Sequence, residues 1–296
     1  MEKRLLGKTG MQVGVLGFGG SEIHDEQADY ATTEYLLNSA LDDGLNVIDT
    51  AECYGASEEF IGRAVGHRRN EYYLFTKCGH AAGFDLPDWQ PELLEWSIER
   101  SLQRLRTDYL DLVQLHSCSE EILRQGDVIH VLQHARDAGK ARFIGFSGDK
   151  GSARYAVECG AFDVLQASIN IVDQTALEIT LPLAREHQVG VIAKRPIANA
   201  VWRYGTTSPT WQYHYTYWEQ LNRLAYPFLQ GDSAEVVGIA LRFTLSVPGV
   251  HTAIVGTSLP GRWQQNKHFA ESGPLPQEQF EAIRARWKHV MDASSA

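Results

Sequence analysis

Short apolar runs bounded by glycine or polar residues recur along the chain: VGVLGF (13–18), LNVID (45–49), YYLFTK (72–77), LDLVQLH (110–116), RFIGFS (142–147), DVLQAS (163–168), VGVIAK (189–194) and TAIVGT (252–257). Runs of this length, rich in Val, Ile, Leu and Phe, predict strands of a parallel sheet covered on both faces. The segments between them have helical spacing. Residues 32–44 place Tyr35, Leu36, Ala40 and Leu41 on one face, and 90–108 repeat Leu94, Ile98, Leu102 and Leu105 behind Pro91. A third helix is predicted over 119–140, opening at Ser119 and closing at Gly139, with others over 174–190 and 233–249.

Strand and helix alternate about eight times, which predicts an α/β fold of the closed (β/α)₈ TIM-barrel type as a single domain over 1–296, with a doubly wound open sheet as the alternative. The early glycines in GVLGFGGSEI lack the G-x-G-x-x-G spacing expected of the open sheet. One connection, 195–235, is much longer than the rest and is predicted to be a functional loop.

Apolar residues make up 44% of the 296, ample for one large core. The net charge of −10, from 37 acidic and 27 basic side chains, excludes a broad basic footprint for nucleic acid or anionic lipid. No apolar run spans a bilayer and no signal peptide is read at the start, so the expectation is a cytoplasmic protein. Cys53, Cys78, Cys118 and Cys159 lack metal-ligand spacing; reduced thiols acting as small apolar fillers are expected, and no metal.

In a barrel of this kind, reactive groups come from the C-terminal ends of the strands. Those ends read Asp49, Lys77, His116, Ser147, Gln166, Lys194 and Thr257, with Tyr54 five residues past Asp49. Singly, each has a structural reading: a capping carboxylate, a solvated lysine, a satisfied histidine. Jointly they point to one mouth and one chemistry. A phenol titrates at about 10; a lysine ammonium beside it favours the phenolate, and a carboxylate behind the lysine keeps it charged. A histidine could orient a carbonyl oxygen. Such a set gives a proton to that oxygen as a hydride reaches the carbon, or runs the reverse.

The segments NVIDTAECYG, YYLFTKCG, DYLDLVQLH, RFIGFSG and VGVIAKRP occur in this order and resemble the aldo-keto reductases from about residue 4 to 266. The resemblance implies a (β/α)₈ barrel that binds NADP(H) without a Rossmann fold, with NAD(H) as the other candidate. It implies Tyr54 as general acid/base, Lys77 as the group that tunes it, Asp49 as the partner of Lys77, and His116 as the group that orients the carbonyl. It places the nicotinamide carboxamide at Ser147 and Gln166, although Gly148 stands where the family often has asparagine. Lys194 stands where a stacking aromatic is usual, so Lys194 or Arg195 is expected to meet the pyrophosphate. In IVGTSLPGRWQQN, Gly256, Thr257, Arg262 and Asn266 match the segment that holds the adenosine 2′-phosphate and adenine, and Arg262 suits NADPH even though Gly256 replaces a common lysine. Gly19 and Gly20 complete the cofactor positions.

The long connection carries Trp202, Trp211 and Tyr213 as candidates for the wall of a pocket for apolar or ring-bearing carbonyls; the alternative is a loop folding its own rings onto the barrel. Trp211, Tyr213, Tyr215 and Tyr217 alternate as a strand would. The function expected is NADPH-dependent, reversible reduction of an aldehyde or ketone. The alternatives are an NAD(P)⁺-dependent sugar or alcohol dehydrogenase, a redox-sensing regulatory subunit that keeps its cofactor, and a Schiff-base aldolase through Lys77. The partner is a small molecule, and oligomeric state is left open.

Overall fold

The computed structural model describes residues 1–23 and 29–295. Strands β1 (Lys3–Leu5) and β2 (Gln12–Gly14) form an antiparallel hairpin. Eight parallel strands then close a barrel: β3 (Leu16–Gly19), β4 (Val47–Asp49), β5 (Tyr73–Cys78), β6 (Leu110–His116), β7 (Ala141–Ser147), β8 (Val164–Ser168), β9 (Gly190–Lys194) and β10 (Thr252–Gly256), the last paired back to β3. The connections and C-terminal segment hold α1 (Tyr30–Asp42), α2 (Ser57–Val65), α3 (Pro91–Leu105), α4 (Glu120–Gln125), α5 (Asp127–Asp137), α6 (Lys150–Glu158), α7 (Thr180–Glu186), α8 (Gln212–Leu224), α9 (Ser233–Ser246), α10 (Arg262–Glu271) and α11 (Gln277–Ser295).

Side-chain parity along the strands decides what each face buries. Ile48, Leu74, Val113, Ile144, Leu165, Val191 and Val255 point outward into one layer with helix residues such as Leu37, Ile61, Leu94 and Leu132. The opposite parity, Val47, Phe75, Leu112, Val164, Ile192 and Ile254, fills the barrel axis together with Leu6, Met11 and Val13 of the hairpin segment. Because both faces are buried, the strands read as near-continuous apolar runs. The hairpin seals the N-terminal end of the barrel.

Two residues further on, the same inward parity gives Asp49, Lys77, Gln114, Gln166 and Lys194. The interior therefore changes from apolar to polar within one layer of side chains, at the end the hairpin leaves uncovered. The axis is full: a Cβ on Gly145 would lie 2.8 Å from the Val164 carbonyl oxygen and 3.2 Å from Leu112 Cδ1.

Several expectations are corrected. The run 13–18 splits between the hairpin and β3, because the chain turns from the plug into the barrel wall at Val15. Tyr35 is exposed, and the buried face of α1 is Thr33, Leu36, Leu37, Ala40 and Leu41. The helix predicted over 119–140 is two, α4 and α5, separated by Gly126 at φ 88°, a conformation that suits glycine; Ser119 caps the first as expected. The connection 195–235 is mostly helical, and its apparent strand alternation is α8, whose buried Tyr217, Leu221 and Leu224 follow a helical period.

Helix α2, which follows the turn bearing Tyr54, is anchored twice. Gly62 lies so close to α3 that a Cβ there would run into the backbone of Arg104 and Leu105. Glu58 is buried and accepts from Thr76 Oγ1 of β5 at 2.6 Å. Burial pushes the Glu58 carboxyl up to about 7, against the hydrogen bond from Thr76. Gly62→Ala should destabilise the fold by about 1–3 kcal/mol through overpacking, read as a lowered urea midpoint. For Glu58 the folded value lies above 4.5, so its stabilising contribution is full below that pH and is lost as pH rises through about 7. Glu58→Gln should remove that slope, making the variant more stable than the parent by roughly 3 kcal/mol at pH 8 and by little at pH 4 in thermal unfolding.

Candidate active site

Asp49 and Lys77 close the inner ends of β4 and β5 and are 1% and 2% exposed. An ammonium at that depth costs several kcal/mol unless it is paired and hydrogen-bonded. Lys77 Nζ donates to Asp49 Oδ1 and, at 2.7 Å, to the Thr50 carbonyl. The second carboxylate oxygen of Asp49 accepts from Gln114 Nε2 at 3.1 Å and Gln166 Nε2 at 2.8 Å. Ser147 Oγ in turn lies 3.3 Å from Gln166 Oε1. Burial works against the charge on Lys77, but Asp49 and then Tyr54 outweigh it and raise its pKa.

The turn after β4 places Tyr54. Thr50 N donates to Phe75 O at 2.9 Å, Glu52 N to Lys77 O at 3.1 Å and Tyr54 N to Ala51 O at 3.0 Å, and Gly55 takes φ 50°. The buried Glu52 carboxylate is clamped by Arg100 and, at 3.2 Å, by Arg104 of α3. The turn is thus sewn to β5 at two points and to α3, which leaves the phenol little freedom. Tyr54 is half-buried, with Lys77 Nζ 5.3 Å from its ring centre and the His116 ring edge-on at 5.6 Å. All four residues expected to carry the chemistry therefore share one mouth.

The electrostatics differ from expectation in one respect. Burial raises the pKa of Tyr54, Lys77 lowers it and Asp49 raises it, and the net direction is up. The ammonium moderates the desolvation of the phenol without overcoming it, so the group stays protonated at neutral pH. His116 is pushed well below the ordinary imidazole value, by burial first and then by Lys77, His80, Lys194 and Arg195. It is neutral. Its Nδ1 lies 3.3 Å from Cys53 Sγ, and the His80 ring, whose Nδ1 is 2.8 Å from Asp88 Oδ2, packs 5.1 Å away.

A second polar cluster lines the ends of β7, β8 and β9. Asp149 accepts from Ser168 N at 2.7 Å and pairs with Lys194 Nζ at 3.2 Å and Arg195 Nη1 at 3.7 Å. Arg195 Nη1 also donates to Ser168 Oγ at 2.7 Å, and its guanidinium carbon lies 4.2 Å from the Tyr213 ring centre. Burial pushes Lys194 down to about 8, against the pull of Asp149. Lys194 and Arg195, expected to meet a pyrophosphate, are thus already shared with a carboxylate. A Cβ on Gly148 would run into the Phe146 ring, so that ring claims the space of the asparagine usual there.

Gly19 pairs in register with both Asp49 and Gly256, which brings the glycine rim together; Gly20 accepts from Ser57 Oγ at 2.8 Å. Thr257 Oγ1 accepts from Leu259 N at 3.0 Å, and Arg262 Nη1 donates to Gln265 Oε1 at 2.7 Å. Asn266 is buried with Oδ1 lacking a partner. Of the aromatic candidates, Tyr213 reaches the mouth through Arg195, Trp202 packs partly buried against the helix layer, and Trp211 is 61% exposed, touching Tyr213 and His214.

Sequence reasoning missed Gln114, Asp149, Glu52 with its two arginines, and the His80–Asp88 pair. Gln114 was within reach, since it shares parity with His116 on β6. The others meet their partners only in three dimensions.

Comparison with known proteins agrees with the geometry. Residues 13–288 match the model of the aldo/keto reductase family. An uncharacterized oxidoreductase of Bacillus subtilis (strain 168) is 27% identical over 307 residues, covering 97% of each chain. The L-galactose dehydrogenase of Arabidopsis thaliana is 28% identical over 282 residues, covering 90% of this chain and 87% of its own. Among solved structures, an aldo-keto reductase from Bacillus halodurans in its holo form superposes with a TM-score of 0.81 at 25% identity, covering 97% and 96% of the two chains.

Proposed function

This chain belongs to the aldo/keto reductase family, and on that premise we propose that it is an NADPH-dependent reductase of aldehydes or ketones with Tyr54 as the proton donor. The observation behind this reading is the sealed Lys77–Asp49 pair beneath the Tyr54 ring. A charge buried that deeply can act strongly on a neighbour through the low dielectric around it, and the neighbouring group with a transferable proton is the phenol.

The fit to a nicotinamide dinucleotide rests on the rim. The unpartnered, buried Asn266 Oδ1 is an acceptor suited to an adenine amino group, Arg262 suits a 2′-phosphate, and the glycine backbone at Gly19, Gly20 and Gly256 allows close approach. Ser147 and Gln166 would hold the carboxamide. Lys194 and Arg195 would release part of their hold on Asp149 to meet the pyrophosphate. When bound, this cofactor supplies the hydride.

The chain's own part is to hold the carbonyl and give up a proton. His116, being neutral, can donate one N–H to the carbonyl oxygen without adding a charge. Tyr54 Oη then passes its proton to that oxygen as negative charge develops there, and Lys77 stabilises the phenolate left behind. The raised pKa of Tyr54 favours this direction, because alcohol oxidation would require the phenolate at the start. Asp49, held by two glutamine amides, keeps Lys77 charged throughout.

Tyr54→Phe should lower carbonyl turnover by roughly 10²–10⁴-fold while titration with NADPH gives nearly the parent affinity; parent-like turnover would refute the assignment. Lys77→Met removes the cation that lowers the phenol's pKa. The variant should lose turnover on a similar scale, and the alkaline limb of its residual reduction profile should move to higher pH.

A further inference from the structure

Cys53 reads from the sequence as a small apolar filler, yet its sulfur meets the Nδ1 ring nitrogen of His116. We propose that the Cys53 thiol donates a hydrogen bond to His116 Nδ1 and thereby fixes the imidazole proton on Nε2, making Cys53 a positioning residue for the group that holds the substrate carbonyl. This deepens the function proposed above and rests on it.

The contact is 3.3 Å, from Cys53 Sγ to His116 Nδ1. A neutral imidazole carries one N–H and one bare acceptor nitrogen, so this contact decides which is which. If Nδ1 carried the proton, it would donate to a thiol sulfur, a weak acceptor, and the bare Nε2 could not bind a carbonyl oxygen. If the thiol donates, it meets an imidazole lone pair, the better acceptor of the two, and Nε2–H remains for the substrate.

Two other arrangements of a Cys–His pair are disfavoured here. A thiolate–imidazolium pair, the nucleophilic form, needs an ionised sulfur and a charged ring. Burial pushes the Cys53 thiol up to about 11 despite Lys77, and burial together with the nearby Lys77, Lys194 and Arg195 keeps His116 neutral. A loose contact is disfavoured by the turn itself. Glu52, the preceding residue, is clamped by Arg100 and Arg104, and its amide is tied to the Lys77 carbonyl. The sulfur is held against the ring by elements outside the Cys53 side chain.

The test uses the full chain labelled with ¹⁵N-histidine, with and without NADPH, the His116 signals being assigned by their loss in His116→Gln. Long-range nitrogen–proton correlations should show Nδ1 bare and Nε2 protonated. In Cys53→Val the two nitrogen signals should move toward each other, and kcat/KM for aldehyde reduction should fall about fivefold, the change expected for one ordinary hydrogen bond. Cys53→Ser, which keeps a donor of shorter reach, should restore the nitrogen pattern and most of the rate. A proton on Nδ1 in the parent, or unchanged His116 signals in Cys53→Val, would overturn the proposal. A chain that turned over no carbonyl would sink the function proposed above, and the nitrogen spectra would then still decide the tautomer alone.

Discussion

The site depends on one constraint: an ammonium placed almost out of reach of water must be compensated on all sides or the barrel mouth cannot form. Lys77 meets that requirement with Asp49 and the Thr50 carbonyl, and Asp49 meets its own with Gln114 and Gln166. These residues come from β4, β5, β6 and β8 and the turn after β4. Compensating one charge therefore fixes the relative positions of half the barrel's upper rim, and the phenol above it inherits that rigidity. The proposed proton donor is oriented by neighbours that never touch the substrate.

The arrangement follows from a short geometric rule. On a barrel strand, residues two apart face the same way, so Val47 and Asp49, Phe75 and Lys77, Leu112 and Gln114, and Val164 and Gln166 lie one above the other. The chain writes an apolar floor and a polar ceiling in adjacent inward positions. The hairpin segment with Leu6, Met11 and Val13 closes the floor. That sidedness explains why the chemistry gathers at the other end.

The strand pattern, the barrel and the convergence of Asp49, Tyr54, Lys77 and His116 were legible in the sequence because each depends on local periodicity and on which residue ends a strand. What escaped depends on distance in space. Asp149 claims Lys194 and Arg195 from across two strands, and no spacing along the chain announces that pairing. The aromatic run near 211–217 was misread because alternation over a few residues does not separate a strand from a helix; the buried positions 217, 221 and 224, set further apart, do. The sign of the Tyr54 shift was misread for another reason. Proximity to a cation can be guessed from motifs, but the competing desolvation is a property of the packed site.

That sign matters for how the proposed reaction runs. If the phenol were ionised at rest, Lys77 would be neutralised by it, and the site would lack a proton for a carbonyl oxygen. Burial prevents this by keeping the proton on the phenol until a stronger base appears beside it, which an oxygen acquiring alkoxide character is. The same dryness that raises the phenol also lowers His116, so both groups facing the mouth begin uncharged while Lys77 stays cationic beneath them. Exclusion of water thus sets two of the three protonation states, and Asp49 sets the third by holding the charge on Lys77 against it. Loosening the turn at Glu52 and its arginine clamp would admit water and relieve the desolvation of all three, whereas changing Lys77 would act on Tyr54 and His116 through its charge alone.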